Sequence, residues 1–191
     1  MSMIKVRFVK LRAGARVPFY ATPGSAAADL FACLDDVSEL DGLPVLGGSV
    51  TIPAGGRVSV PTGIAIEPVV SQPHSECHGN HEKPDEAELP HQSHQVPIAQ
   101  TDNFVALIFG RSGHGAKFGV TLANSVGVVD SDYRGEIKVA LINHGSQPFT
   151  VSHGDRIAQI AFVPVATAMF VEAAALGETE RGTGGFGSTG R

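Results

Sequence analysis

The stretch GVVDSDYRGEIKV, residues 127 to 139, holds the residues best suited to acid–base chemistry. Asp130 and Asp132 lie two positions apart and Tyr133 follows, and in an extended backbone positions two apart point to the same side. A carboxylate with a tuned pKa can act as a general base for water, and the tyrosine can present its ring face to a sugar. The pattern predicts a hairpin between two strands here, and an ordinary Asp-rich turn without catalysis is the alternative interpretation.

The stretch GRSGHGAKFGV, residues 110 to 120, offers a place for an anion. Arg111 and Ser112 stand where a short helix is predicted to begin, with Ser112 as its N-terminal cap. The free N–H groups and the dipole of a helix start attract phosphate or carboxylate groups. A plain helix cap without a ligand explains the same residues.

Two polar residues interrupt apolar runs. Asp29 lies in SAAADLFA and Gln159 in GDRIAQIAF. A lone acid in an apolar run usually makes hydrogen bonds, but it can also orient water around a metal ion. A glutamine on an apolar strand usually points to solvent.

The C-terminal segment RGTGGFGSTGR, residues 181 to 191, is rich in glycine. Successive N–H groups of such a loop can surround an anion, with hydroxyl groups from Ser188 and Thr189 and charge from Arg181 and Arg191. Phe186 has no core to join, but it can stack on a flat ring, which contributes about 1–3 kcal/mol for a base. A disordered terminus is the alternative.

The rest of the chain predicts the elements that position these residues. Short apolar runs separated by glycine and proline indicate an all-β sandwich or barrel. The first run, IKVRFV, alternates with Ile4, Val6 and Phe8 toward a core. One short helix near residues 112–118 is the only helix predicted. We expect one β domain over residues 1–175 and a flexible glycine-rich arm over residues 176–191.

A polar segment over residues 71–102 has no periodicity and reads as a surface insertion between two strands. A loop of this length is unusual inside a compact domain. Its Cys77, His78 and His81 are possible zinc ligands, with His74, His91 and His94 nearby. Their spacing matches no standard zinc module, so a solvated loop is the favoured interpretation.

Composition narrows the class of function. The 191 residues carry a net charge of −5, which argues against a nonspecific nucleic-acid binder. We see no long apolar run that would predict a signal peptide or a membrane span. Two cysteines without a CxxC pair favour a reducing compartment, so we expect a cytoplasmic protein.

Taken in order, the five stretches closely resemble the five motifs of the trimeric dUTPase family. The resemblance runs from about residue 4 to the end, apart from the insertions. It implies a homotrimer of jelly-roll-like β subunits that hydrolyses dUTP to dUMP and pyrophosphate with Mg²⁺, which lowers dUTP and supplies dUMP for thymidylate synthesis. It also implies shared sites, with the third motif from one chain, motifs one, two and four from a neighbour, and the arm from the third.

The resemblance further implies roles for individual residues. Asp130 corresponds to the acid that activates water for attack on the α-phosphorus, and Asp29 reaches Mg²⁺ through water. Tyr133 packs under the deoxyribose and excludes a 2′-hydroxyl. Asn124 and Val128 belong to a hairpin, residues 124–130, whose backbone pairs with the uracil edge. Phe186 stacks over uracil. The phosphate contacts are Arg111, Ser112, Gly113, Gln159, Arg181, Gly187 and Ser188.

Two motif positions depart from the family pattern, because Gly110 replaces a usual proline and His114 a usual apolar residue. Three other functions stay open at this stage. One is a dCTP deaminase, or bifunctional deaminase–diphosphatase, of the same fold. The second is a nucleotide-binding regulatory protein without catalysis, and the third is a β-sandwich interaction module.

Overall fold

The computed structural model of the chain describes residues 4–69 and 104–185. The described residues form 13 strands and one short helix, which confirms the mostly β class. The N-terminal strands are β1 Lys5–Lys10, β2 Ala28–Phe31, β3 Glu39–Leu40, β4 Leu43–Leu46, β5 Ser49–Ile52, β6 Arg57–Pro61 and β7 Ile64–Val69. The second group comprises β8 Phe104–Gly110, α1 Ser112–Phe118, β9 Val120–Leu122, β10 Gly127–Val129, β11 Lys138–Asn143, β12 Phe149–Ser152 and β13 Arg156–Pro164.

The strands form four sheets, with orders β1-β7, β10-β8-β13-β2, β6-β11-β9 and β12-β5-β4-β3. All pairs are antiparallel. A barrel requires each edge strand to pair with another strand. Because the described strands leave these sheets open at their edges, the closed-barrel form of the sequence prediction is wrong.

The core lies where the inward faces of these sheets meet. In β11 burial alternates along the strand, so that Val139 and Leu141 are buried while Lys138 is exposed. Val58 and Val60 of β6 are buried in register with them. Burying one such aliphatic side chain contributes about 1.5–3 kcal/mol relative to leaving it exposed.

Strand β1 differs from its prediction. Val6 is partly buried against the core, but Phe8 remains 44% exposed. Both side chains lie on the same face of β1, which pairs only with β7 among the described strands, so this face is covered at Val6 and open at Phe8.

Strand β8 positions the site. It pairs with β10 on one side and with β13 on the other, and β13 pairs in turn with β2. The predicted hairpin over 127–139 is therefore wrong, because β11 pairs instead with β6 and β9 in another sheet. The loop between β10 and β11 crosses from one sheet to the other.

Helix α1 begins one residue earlier than a Ser112 cap requires. Arg111 is the cap residue, with extended backbone angles of φ −79° and ψ 129°, and no side chain caps the helix. Ser112 is already helical, so the predicted cap is wrong. The reason is that Arg111 prolongs the extended path of β8 and the chain turns only after it. Gly119 ends the helix with φ 69°, a conformation that favours glycine.

The chain after β13 has no helix or strand up to residue 185. Met169, Phe170 and Leu176 are 87 to 96% exposed there. The insertion at 71–102 with Cys77, His78 and His81, and the predicted ligands Phe186, Gly187 and Ser188, lie outside the described residues. In the described ranges, no helix is long and apolar enough to cross a bilayer.

Candidate active site

Asp29 is the centre of one half of the site. It is only 2% exposed, and its carboxylate accepts two hydrogen bonds and forms one longer ion pair. Gln159 Nε2 donates to Oδ1 at 3.2 Å, Arg156 Nη1 donates to Oδ2 at 3.2 Å, and Arg111 Nε lies 3.9 Å from Oδ1. A buried carboxylate is tolerated when charges and hydrogen bonds compensate it. The first, second and fourth motifs therefore meet within one chain.

Strand register explains this meeting. Gln159 pairs directly with Asp29 across β2 and β13, so their side chains share a face of the sheet. Arg111 leaves the end of β8, where Gly110 pairs with Ala158. Gln159 thus points to the carboxylate and not to solvent.

Sequence reasoning missed Arg156. It begins β13, and the register shifts between Arg156 and Ala158. This irregularity re-aims the side chain, as strand bulges commonly do. The sequence did carry a signal for this role, because Arg156 is a basic residue three positions before Gln159 at the start of an apolar strand.

Asp130 and Tyr133 line the second half, a pocket of about 300 Å³. Its other walls are apolar residues of β8, β10 and the following loop, together with two charged residues. The lining comprises Ile108, Val128, Val129, Asp130, Tyr133, Glu136, Ile137 and Lys138. Asp130 is exposed, so water can reach it. The pocket places an acid and a ring face side by side.

A set of backbone contacts orients the Tyr133 ring. The hydroxyl of Tyr133 donates to the Glu136 carbonyl oxygen at 3.2 Å. The hydroxyl lies against Gly135, where a Cβ would collide with it. The Glu136 side chain accepts from the Gly63 N–H at 2.9 Å and from Arg12 Nε at 3.4 Å. Sequence reasoning missed Glu136, which anchors the loop that carries Tyr133.

Strand β10 presents a backbone edge beside this pocket. It is the edge strand of its sheet, and β9 is the edge strand of another, so residues 124–130 form no hairpin ladder between described strands. Asn124 lies in the connecting turn, where the Val126 N–H donates to its carbonyl oxygen at 2.7 Å. Val128 is 64% exposed. The outer backbone groups of β10 are thus available to a planar ligand.

The two halves stand far apart within one chain. Val129 pairs with Ala106, so Asp130 falls opposite the beginning of β8, whereas Arg111 follows its end. Arg111 lies six positions after Val105, which is about 20 Å at the rise of a strand. Asp130 and Arg111 of one chain therefore lie near opposite ends of β8.

His114 lies in the first turn of α1, three residues after Arg111, and packs against a residue of β12. Its ring meets Phe149 edge-on, with centroids 5.2 Å apart, and its Nδ1 is buried without a hydrogen-bond partner. Burial lowers the pKa of His114, and the charge of Arg111 lowers it further, while Asp155 opposes them. The His114 ring thus packs against Phe149 in a partly buried position. Ser112 and Gly113 are exposed at the start of the helix.

Arg181 lies in an exposed turn. Its Nε donates to the Gly184 carbonyl oxygen at 2.8 Å, and the Gly182 N–H donates to Thr179. These bonds are local. The structure thus places Arg181 near neither half of the site through any contact among the described residues.

Two arginines beside a buried carboxylate, and a separate pocket that holds an acid and an aromatic ring, would suit a ligand that carries both charge and a ring, as a nucleotide does. A family model described as dUTPase matches residues 86–190. The deoxyuridine 5'-triphosphate nucleotidohydrolase of Desulfitobacterium hafniense is 43% identical over 98% of this chain and 95% of its own. That of Pectobacterium carotovorum is 40% identical over 100% and 99%. The chain belongs to the dUTPase family.

Solved structures show the same fold at low identity. The dUTPase of Staphylococcus bacteriophage 80alpha, solved with dUpNHpp, superposes with a TM-score of 0.67 at 17% identity and covers 98% of this chain and 99% of its own. A dUTPase from phage phi11 of S. aureus, described with a structural Mg(II) ion, gives 0.60 at 14% identity, covering 91% and 99%.

Proposed function

We propose that this chain hydrolyses dUTP to dUMP and pyrophosphate. The observation that carries this proposal is the pocket that joins Asp130, Tyr133 and the free edge of β10, in a chain of the dUTPase family. Asp130 accepts a proton from water as the water attacks the α-phosphorus, and the bond to the bridging oxygen of pyrophosphate breaks. General-base catalysis of this kind contributes about 10²- to 10⁴-fold.

Specificity for deoxyuridine follows from the same pocket. Tyr133, held by its bond to the Glu136 carbonyl, lies under the deoxyribose and leaves no space for a 2′-hydroxyl. The N–H and carbonyl groups of β10 pair with the uracil edge. Cytosine presents the opposite donor and acceptor at that edge, so it is rejected. Phe186 closes over the base.

Four residues contact the phosphates in this proposal: Arg111, Ser112, Gly113 and Gln159. Asp29 orients the side chains of Arg111 and Gln159. Mg²⁺, a hard cation that prefers oxygen ligands and retains waters, would offset charge on the triphosphate. The buried Asp29 already faces two guanidinium groups. Because the carboxylate oxygens are already paired with these guanidinium groups, we expect Asp29 to reach Mg²⁺ through a water molecule and not as a direct ligand. Further phosphate contacts come from Arg181, Gly187 and Ser188.

The active unit is a homotrimer with shared sites. The separation of about 20 Å along β8 supports this, because a second chain must supply the phosphate-binding half to each pocket. The third chain supplies the arm.

Intersubunit complementation tests this sharing. Asp130→Asn and Arg111→Ala variants are each expected to be nearly inactive. When they are unfolded and refolded together, about a quarter of the sites combine two intact halves, so activity returns. Failure of such mixed trimers to recover activity would place both halves in one chain.

Pyrophosphate release from dUTP, dCTP, dTTP and UTP with Mg²⁺ tests the reaction itself. We expect turnover of dUTP alone, abolished in Asp130→Asn. Ammonia release from dCTP would favour the deaminase alternative. Binding of dUTP without turnover would favour the regulatory alternative, and absence of both would favour an interaction module.

A further inference from the structure

A second group of ligating side chains lies in two loops near the end of β2 and the start of β13. Cys33, Asp35 and His153 each offer one ligand atom, and these three atoms lie within 4.8 Å of one another. Backbone bonds join the loops, because the Gly154 N–H donates to the Ala32 carbonyl at 2.8 Å and the Ala32 N–H donates to the Asp155 carbonyl at 2.8 Å. The cluster is therefore held by the fold.

The contacts of His153 place its Nδ1 beside the Asp35 carboxylate. Its Nδ1 lies 3.2 Å from Oδ1 of Asp35 and 3.1 Å from the backbone nitrogen of Leu34. In the metal-free chain the single lone pair of Nδ1 accepts the Leu34 N–H bond. A metal ion on Nδ1 would take that lone pair in place of the Leu34 N–H, with Oδ1 of Asp35 3.2 Å away as a second ligand atom.

The three side chains of the cluster form a small concave site, with the sulfur at its base and the other two groups near the surface. The Cys33 sulfur is buried against Gly63, where an added Cβ would lie 2.8 Å from it. Asp35 and His153 stand at the rim, with 36% and 31% of their side chains exposed. Gly14 leaves space for both, because a Cβ there would collide with the Asp35 carboxylate and lie 2.7 Å from His153 Cε1.

We propose that Cys33, Asp35 and His153 bind one transition-metal ion of the zinc class, with water as a fourth ligand. Zinc takes four ligands of this sulfur, nitrogen and oxygen kind at about 2.0–2.3 Å, and a gap of 3.2 Å between two ligand atoms suits a tetrahedral ion. Mg²⁺ prefers oxygen ligands alone, so the nucleotide's metal does not compete for this site.

The thiol must lose its proton to bind. Burial is the main cause that raises the pKa of Cys33, and a hydrogen bond from the Asp35 backbone and the charge of Arg12 oppose it. The free thiol is therefore protonated at neutral pH, and metal binding releases that proton.

Titration of the full-length chain with Co²⁺ tests the site, because thiolate ligation gives Co²⁺ a charge-transfer absorption. Cys77 is the only other cysteine in the sequence, so Cys77→Ser is the matched control for Cys33→Ser. We expect one such Co²⁺ per wild-type chain, displaced by Zn²⁺. The absorption should persist in Cys77→Ser and vanish in Cys33→Ser.

Cys33→Ser could lose metal binding merely because a change at this buried position prevents folding. His153→Gln and Asp35→Asn therefore provide a second test of the site. Both change rim residues, and each should weaken Co²⁺ binding at least about tenfold while thermal melting of the metal-free chain shows a folded protein. The proposal is overturned if the wild type gives no thiolate absorption. It is equally overturned if Cys77→Ser alone removes the absorption, or if His153→Gln leaves the affinity unchanged.

Discussion

Gln159 and Asp29 face each other across β13 and β2, and the Gln159 amide donates to the buried Asp29 carboxylate at 3.2 Å. Two arginines approach the same carboxylate from different elements, Arg156 from β13 and Arg111 from the end of β8. The carboxylate thereby fixes the direction in which both guanidinium groups point.

Asp29→Asn should reduce both stability and catalysis. The variant keeps the shape of the side chain but removes its charge, which leaves two guanidinium groups without their anion. We expect a loss of about 1.5–3 kcal/mol in the free energy of unfolding, and kcat/KM for dUTP about 10- to 100-fold lower because the arginines lose their orientation. Urea unfolding and steady-state kinetics measure the two effects.

Glu39→Gln is the control for that variant, since Glu39 is an exposed carboxylate on β3 in a different sheet. It should behave as the wild type. If Asp29→Asn retained full kcat/KM, Asp29 would have no part in organising the phosphate contacts.

Asp130→Asn and Asp132→Asn distinguish the two acids of the third motif. Asp130 lines the pocket, whereas Asp132 is not among its lining residues. We expect kcat to fall about 10²- to 10⁴-fold in Asp130→Asn, and less than about threefold in Asp132→Asn. Pyrophosphate release at saturating dUTP gives both values. The reverse order of effects would assign the base to Asp132.

Tyr133→Phe and Tyr133→Ala separate the hydroxyl from the ring. Tyr133→Phe loses one hydrogen bond to the Glu136 carbonyl, which should cost about 0.5–1.5 kcal/mol of stability and preserve discrimination against UTP. Tyr133→Ala removes the ring and should admit UTP. The ratio of kcat/KM for dUTP to that for UTP decides, and an unchanged ratio in Tyr133→Ala would dismiss the steric account.

Truncation before Arg181 tests the arm. The bonds described for residues 181–185 are local, so thermal melting should match that of the full chain. Loss of the stacking of Phe186 alone should lower kcat/KM about 5- to 150-fold, and the truncation should cost more. Phe186→Ala in the full chain provides the comparison. Full activity after truncation would leave the arm without a role in catalysis.

His114 predicts a dependence of stability on pH. Because burial lowers its pKa in the folded state, the unfolded chain binds a proton more readily at this position. The contribution of neutral His114 is fully present above the unfolded value near 6.5 and is lost as the pH falls below it. The free energy of unfolding should therefore fall from pH 7.5 to 5.5 more in the wild type than in His114→Leu.

His144→Gln is the control for this titration, since His144 is exposed. It should keep the pH dependence of the wild type in urea unfolding at the two pH values. An equal fall in His114→Leu and the wild type would show that another group governs it.

The sequence by itself predicted the residue types and their order along the chain. The alternation of short apolar runs indicated the mostly β class, and the breaks after them placed Asp130 and Tyr133 between strands and Arg111 at the start of a short helix. These inferences succeed because strand periodicity and turn chemistry are local properties, set by a few neighbouring residues. The short helix at 112–118 was predicted for the same reason.

Only the tertiary structure decided which of these residues meet. Arg156 and Gln159 reach Asp29 across more than 120 positions of sequence, and Glu136 reaches Arg12 across 124. Such contacts depend on strand register, and one residue of slippage turns every side chain to the opposite face. The same register sets Asp130 and Arg111 at opposite ends of β8, a separation that no local pattern in the sequence encodes.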